Sequence, residues 1–156
     1  MITRISHVGV AVRNIEEAVS VYTNLLGLKP PPAGIVELPE IGVRSALFPI
    51  GDNYIELIEA TDPQSEVAKL LEERGEGLLH IAVEVDDIDA EVKSLRARGA
   101  EVQEIPPLGP IITYKSAIVT RECAKGVPLE LVPKGTAHKC QRMLLGLQEK
   151  DEPLPL

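Results

Sequence analysis

The chain has 156 residues, is 44% hydrophobic and 26% charged, and carries a net charge of −8 at pH 7. That length and balance fit one globular domain, or two small modules sharing a core, and exclude a disordered chain. The acidic balance argues against nucleic acid as a partner, and no apolar run approaches the ~20 residues of a membrane span. A soluble, cytoplasmic protein without membrane contact is therefore expected. Cys123 and Cys140 have no CxxC spacing and read as free thiols in a reducing compartment.

Residues 2–12 alternate, with Val8, Val10 and Val12 on one side and His7, Gly9 and Ala11 on the other, the pattern of a half-buried strand. Asn14 then stands as an N-cap with Glu17 three residues on, and Ile15, Ala18, Val19, Tyr22, Leu25 and Leu26 follow at helical spacing up to Gly27. Pro30, Pro31 and Pro32 form a loop. Strands are predicted over 34–38, 42–50 and 53–60, with Gly51-Asp52 as a turn. A short helix opening at Asp62-Pro63 carries Val67, Leu70 and Leu71 inward and ends at Gly75.

The strand–helix pattern then starts again. A strand is predicted over 78–86, then a helix from Asp87 with Ile88, Val92 and Leu95 on one face. Strands follow near 100–105, 111–119 and 127–133. From Ala137 a tail with Met143, Leu144, Leu145 and Leu147 is expected to form a helix packed on the body or on a second subunit. His138 lies in this tail as a surface residue.

The two halves align. His7, Val8, Val10, Val12 and Ile15 match His80, Ile81, Val83, Val85 and Ile88 at an offset of 73, and Ile55-Glu56-Leu57 matches Leu129-Glu130-Leu131 at 74. The fold class follows: α+β, with tandem βαβββ modules at 1–60 and 77–135, a helical linker at 61–76 and a C-terminal helix and tail at 136–156. If the β-branched residues face the helices, His7 and His80 share the opposite face with Gly and Ala. Glu56 and Glu130 likewise point away from the leucines that bracket them.

A carboxylate in so apolar a strand is costly to bury unless it is paired or binds metal. A lone strand His or Glu is ordinarily structural, but the same two types at matching repeat positions point to one divalent metal held by His7, Glu56, His80 and Glu130. Mixed imidazole and carboxylate ligation suits Zn, Ni, Co, Fe or Mn.

With that order of ligands, the chain resembles the vicinal oxygen chelate (glyoxalase/bleomycin resistance/dioxygenase) superfamily, and within it the methylmalonyl-CoA epimerases. The resemblance spans roughly residues 1–133. It is carried by ISHVGVAV at 5–12, YIELIE at 54–59, SEVAKLL at 65–71, GEGLLHIAVEVDDID at 75–89 and GVPLEL at 126–131.

The resemblance implies a cupped mixed sheet around a metal and a homodimer. It also implies epimerisation of an acyl-CoA thioester through a metal-stabilised enolate, with Glu130 as both ligand and general base. Three departures stand out. Ser45 occupies the place where these epimerases often carry a second, non-ligating Glu, with Glu37 and Glu40 nearby. Leu79 stands where a second His commonly precedes the ligand His. Val119-Thr120-Arg121 replaces a His-Pro-Lys. The second enzyme class implied is glyoxalase I, acting on a glutathione hemithioacetal. It would need a cationic clamp, for which Arg4, Arg13 and Arg44 are candidates. A metal-free small-molecule binder of the same fold is the alternative outside enzymes, and keeping all four ligands argues against it.

Overall fold

A computed structural model of the chain describes residues 1–109, 112–136 and 139. The apolar tail beyond Thr136, with His138 and Cys140, lies outside the described residues apart from Lys139.

The first half runs β1 (Ile2–Ala11), α1 (Ile15–Ser20), β2 (Ile35–Leu38), β3 (Val43–Ile50) and β4 (Asn53–Ala60). After α2 (Glu66–Arg74) the second half repeats the order: β5 (Gly77–Val85), α3 (Ile88–Ala97), β6 (Val102–Ile105), β7 (Ser116–Val119) and β8 (Leu129–Pro133). All eight strands join one curled mixed sheet in the order β2-β3-β4-β1-β5-β8-β7-β6. In each half the first strand pairs in parallel with the last, β1 with β4 and β5 with β8. The halves meet where β1 runs antiparallel to β5, and there His7 pairs with Ala82 and Gly9 with His80. The pseudo-dyad of the duplication therefore passes between the two histidines.

Local chemistry sets the helix starts. The side chains of Asn14 and Asp87 accept hydrogen bonds from the backbone N–H of Glu17 and Ala90, each at 2.9 Å. The linker helix starts at Glu66 rather than at Asp62-Pro63. Ser65 Oγ caps it by accepting from Ala68 N–H at 3.2 Å, while Asp62 Oδ1 accepts from Gln64 N–H at 2.8 Å in a side-chain turn. The first helix changes from α to π geometry over Val21–Leu25. The strand expected over 111–119 shortens to Ser116–Val119, because the Pro106-Pro107 stretch feeds an isolated Leu108–Ile112 bridge instead of a ladder.

The strand faces divide as the alternation predicts. Val12, Ile15, Ala46, Phe48 and Leu57 pack under α1, and Val83, Val85, Ile88, Val92 and Leu131 pack under α3. Phe48, Leu57 and Leu131 are fully buried, each contributing about 1.5–3 kcal/mol by removal from water. The opposite, concave face carries the odd positions of β1 and the even positions of β4, β5 and β8. α2 lies against its first-half end through Val67 and Leu71.

Candidate metal centre

His7 is buried on β1, its ring stacked on Tyr54 at a centroid distance of 4.5 Å and an interplanar angle of 13°. Ser6 Oγ lies 3.3 Å from its Nδ1. In the tautomer with the proton on Nδ1, which donates to Ser6, the Nε2 lone pair is left for a ligand bond. That Nε2 sits 3.0 Å from Nε2 of His80. His80 is held differently: it lies over Gly9, where a methyl group would come within 2.5 Å of its Cε1. Glycine at 9 is what admits the second ring.

The carboxylates complete the group. Glu56 Oε2 stands 3.5 Å from His7 Nε2 and 4.0 Å from His80 Nε2. Glu130 Oε2 stands 3.6 and 3.5 Å from the same atoms. Donors about 2.1 Å from a shared ion lie about 3.0–3.4 Å apart when adjacent and about 4.2 Å apart when opposite, and these separations fall in or near that range. His7, Glu56 and His80 offer ligand atoms all within 4.8 Å of one another, a cluster able to hold a metal. The structure thus gathers His7, Glu56 and His80 in one cluster and sets Glu130, outside it, within 3.6 Å of both imidazoles.

The electrostatics fit a cation. Burial lowers the pKa of His7 well below its usual value, and repulsion from His80 adds to this; burial lowers His80 too, against the opposing pull of Glu56. Both rings are therefore neutral at pH 7 and ready to ligate. Burial raises Glu56, opposed by His80 and by Ser45, whose Oγ donates to Glu56 Oε1 at 2.8 Å. Burial pushes Glu130 up to about 7, despite the opposing hydrogen bond from Ser116. Two carboxyls strained by desolvation beside two uncharged imidazoles form a donor set that lacks only a positive charge.

Sequence reasoning missed the supports. Ser45 and Ser116 occupy matching strands, β3 and β7, and each hydrogen-bonds the glutamate of its own half. Ser45 therefore fastens a ligand rather than marking an empty position. A Ser on the strand preceding each Glu is the signal that could have revealed the pair. Glu37 and Glu40 do not line the cavity, which has a volume of about 760 Å³ and contains His7, Glu56, His80 and Glu130 in its wall.

The candidate glutathione clamp is also absent from that lining. Arg4 donates to the Asp52 carbonyl at 2.9 Å, Arg13 to the Leu71 carbonyl at 2.9 Å, and Arg44 pairs with Glu16 and Glu59. Of the Val119-Thr120-Arg121 stretch, Val119 is core while Thr120 and Arg121 line the cavity.

The curled sheet, built by duplication, carries on its concave face a cluster that could hold a metal ion. The chain belongs to the Glyoxalase/Bleomycin resistance protein/Dioxygenase superfamily, whose family model matches residues 6–110. It is 33% identical to the uncharacterized protein YqjC of Bacillus subtilis over 86% of this chain and 96% of that one. It is 35% identical to the human mitochondrial methylmalonyl-CoA epimerase over 61% of this chain, and spans about half (53%) of that protein's length. Among solved structures, a Streptomyces coelicolor methylmalonyl-CoA epimerase in complex with 2-nitronate-propionyl-CoA superposes with a TM-score of 0.76. It is 30% identical, with 85% of this chain and 98% of that chain covered. Several of the relatives and solved neighbours are methylmalonyl-CoA epimerases, which supports an epimerase over glyoxalase I. Among the described residues no helix is long and apolar enough to cross a membrane.

Proposed function

We propose that the protein is a metal-dependent epimerase of the methylmalonyl-CoA type, exchanging the C2 proton of a 2-substituted malonyl thioester. The observation that carries this reading is the meeting of two neutral imidazoles and two desolvated carboxyls in the wall of one cavity. His7, Glu56, His80 and Glu130 would hold one divalent ion, with Co, Ni, Zn, Mn and Fe all compatible with the donor set. A bound ion supplies Lewis acidity that eases formation of an enolate at C2 of the thioester.

Glu130 is the acid–base group. Its carboxylate stands 3.6 and 3.5 Å from the two imidazole Nε2 atoms in the cavity wall, within reach of a thioester held there. Ser116 orients it by a hydrogen bond. Inversion needs a proton returned to the other face of C2. Glu66, Glu73 and Glu122 also line the cavity, but they are exposed and lie beside Lys69 or Arg121. Glu56, which reaches the same imidazoles from the first half of the sheet, is the carboxylate we propose for the return. Deuterium wash-in at C2 of methylmalonyl-CoA in D₂O, set beside hemithioacetal turnover, tests the reading. Wash-in without hemithioacetal turnover supports it, and the reverse assigns a glyoxalase I.

The homodimer belongs to the same reading. Val21, Leu25 and Leu26 form an exposed apolar edge at the end of the first helix that a second copy would cover. Sedimentation of the purified protein checks this. A cytoplasmic location fits the same reading, and fractionation checks it.

A further inference from the structure

The cavity is far more aliphatic than a methylmalonyl group requires. The half-buried Leu70 of α2, Leu79 and Ile112 present aliphatic surface to it, backed by the nearly buried Leu38, Val43 and Ile58 of the first half. All six belong to, or pack against, the cluster that α2 closes with Val67 and Leu71. The wall is therefore continuous and supported from behind. Charged lining residues such as Lys69 and Glu73 are more than half exposed, so they mark the mouth rather than the interior.

Leu79 shows how the wall meets the reactive end. In the β1–β5 ladder Gly9 pairs with His80 and Val10 with Leu78, so Leu79 is the extra residue of a bulge. Regular alternation would send neighbours 79 and 80 to opposite faces. With the bulge, both line the cavity. The aliphatic wall thus begins one residue from the ligand His80, close to where C2 of a bound thioester would sit.

Resting on the epimerase reading, we propose that the enzyme's substrates are 2-alkylmalonyl thioesters whose alkyl group is longer than ethyl, with that chain lying along the Leu79–Leu70 wall. The malonyl oxygens would then be held by the ion that His7, Glu56, His80 and Glu130 bind, the thioester's carrier leaves by the charged mouth, and the alkyl chain displaces water from aliphatic surface. Each buried methylene strengthens binding about threefold to tenfold where the pocket accommodates it.

The test uses metal-loaded wild-type protein and 2-methyl-, 2-ethyl-, 2-butyl- and 2-hexylmalonyl-CoA, reading deuterium wash-in at C2 as kcat/KM. The expected result is a rise from methyl to butyl of at least about thirtyfold. Leu70→Phe, which narrows the wall at α2, is expected to cut the butyl-to-methyl ratio at least about tenfold. A flat or falling series, with methylmalonyl-CoA exchanged well, overturns the chain-length proposal and leaves the epimerase reading standing. No wash-in with any member overturns both.

Discussion

The two halves of the sheet share a backbone plan and a pair of ligands, yet they hold those ligands by different means. In the first half an aromatic ring and a serine fix His7, and the ring is almost wholly buried. In the second half Pro128 stands at the position matching Tyr54, and His80 rests on Gly9 instead of against an aromatic face. The strands differ too: β3 and β4 each run eight residues, whereas β7 has four and β8 five. Duplication supplied a symmetric donor set, and the two halves now hold it by different contacts.

The sharpest way to break this comparison is to exchange the two carboxylates for amides. Glu130→Gln should lower C2 wash-in by at least about 10³-fold, as expected for loss of the acid–base group. With Co²⁺ at saturating concentration, Glu56→Gln should retain most wash-in while losing inversion of the centre. Equal losses of wash-in would mean the halves are chemically equivalent.

The matching glycine and alanine come next. Gly9→Ala places a methyl against His80 and should weaken metal binding about 100-fold, read by titration with Co²⁺. Ala82→Gly, the symmetry-related change, adds no atom near His7 and should cost only about 1 kcal/mol of stability. Equal metal affinity in both variants would show that Gly9 does not position His80.

A pH experiment on metal-free protein separates the carboxyl from the rest. Folded Glu130 keeps its proton up to about 7, against 4.5 ordinarily. Between those values the unfolded chain has released a proton that the native state retains, so this group lowers stability as pH rises through the window. The stabilising effect of Glu130→Gln in chelator should therefore grow from pH 5 to pH 8, reaching at most about 3 kcal/mol. The lowered imidazole pKa values act below 6.5 in both proteins and largely cancel in the difference. The smallest effect is expected for Tyr54→Leu. It removes the stack on His7 and should weaken metal binding about tenfold at most.

The fold and the convergence of the two His–Glu pairs were legible because strand alternation and a repeat leave their marks in a single chain. Two periods of two, offset by 73, are enough to place His7 and His80 on one face. The supports were less legible. Ser45 and Ser116 are unremarkable residues until the antiparallel pairing of β3 with β4 and of β7 with β8 sets them beside the glutamates. The bulge at Leu79 depends on ladder register, which alternation alone cannot give. The arginines failed as a clamp because each is engaged by a partner distant in sequence: Asp52 for Arg4, Leu71 for Arg13, and Glu16 with Glu59 for Arg44.

The central claim is that four side chains from two half-cups bind one ion. Calorimetric titration of chelator-stripped protein with Co²⁺, repeated on His7→Ala, Glu56→Ala, His80→Ala and Glu130→Ala, addresses it directly. One ion per chain in the wild type, with affinity reduced at least about tenfold in every variant, is the result expected. Uptake that none of the four substitutions alters, or no uptake at all, would contradict it.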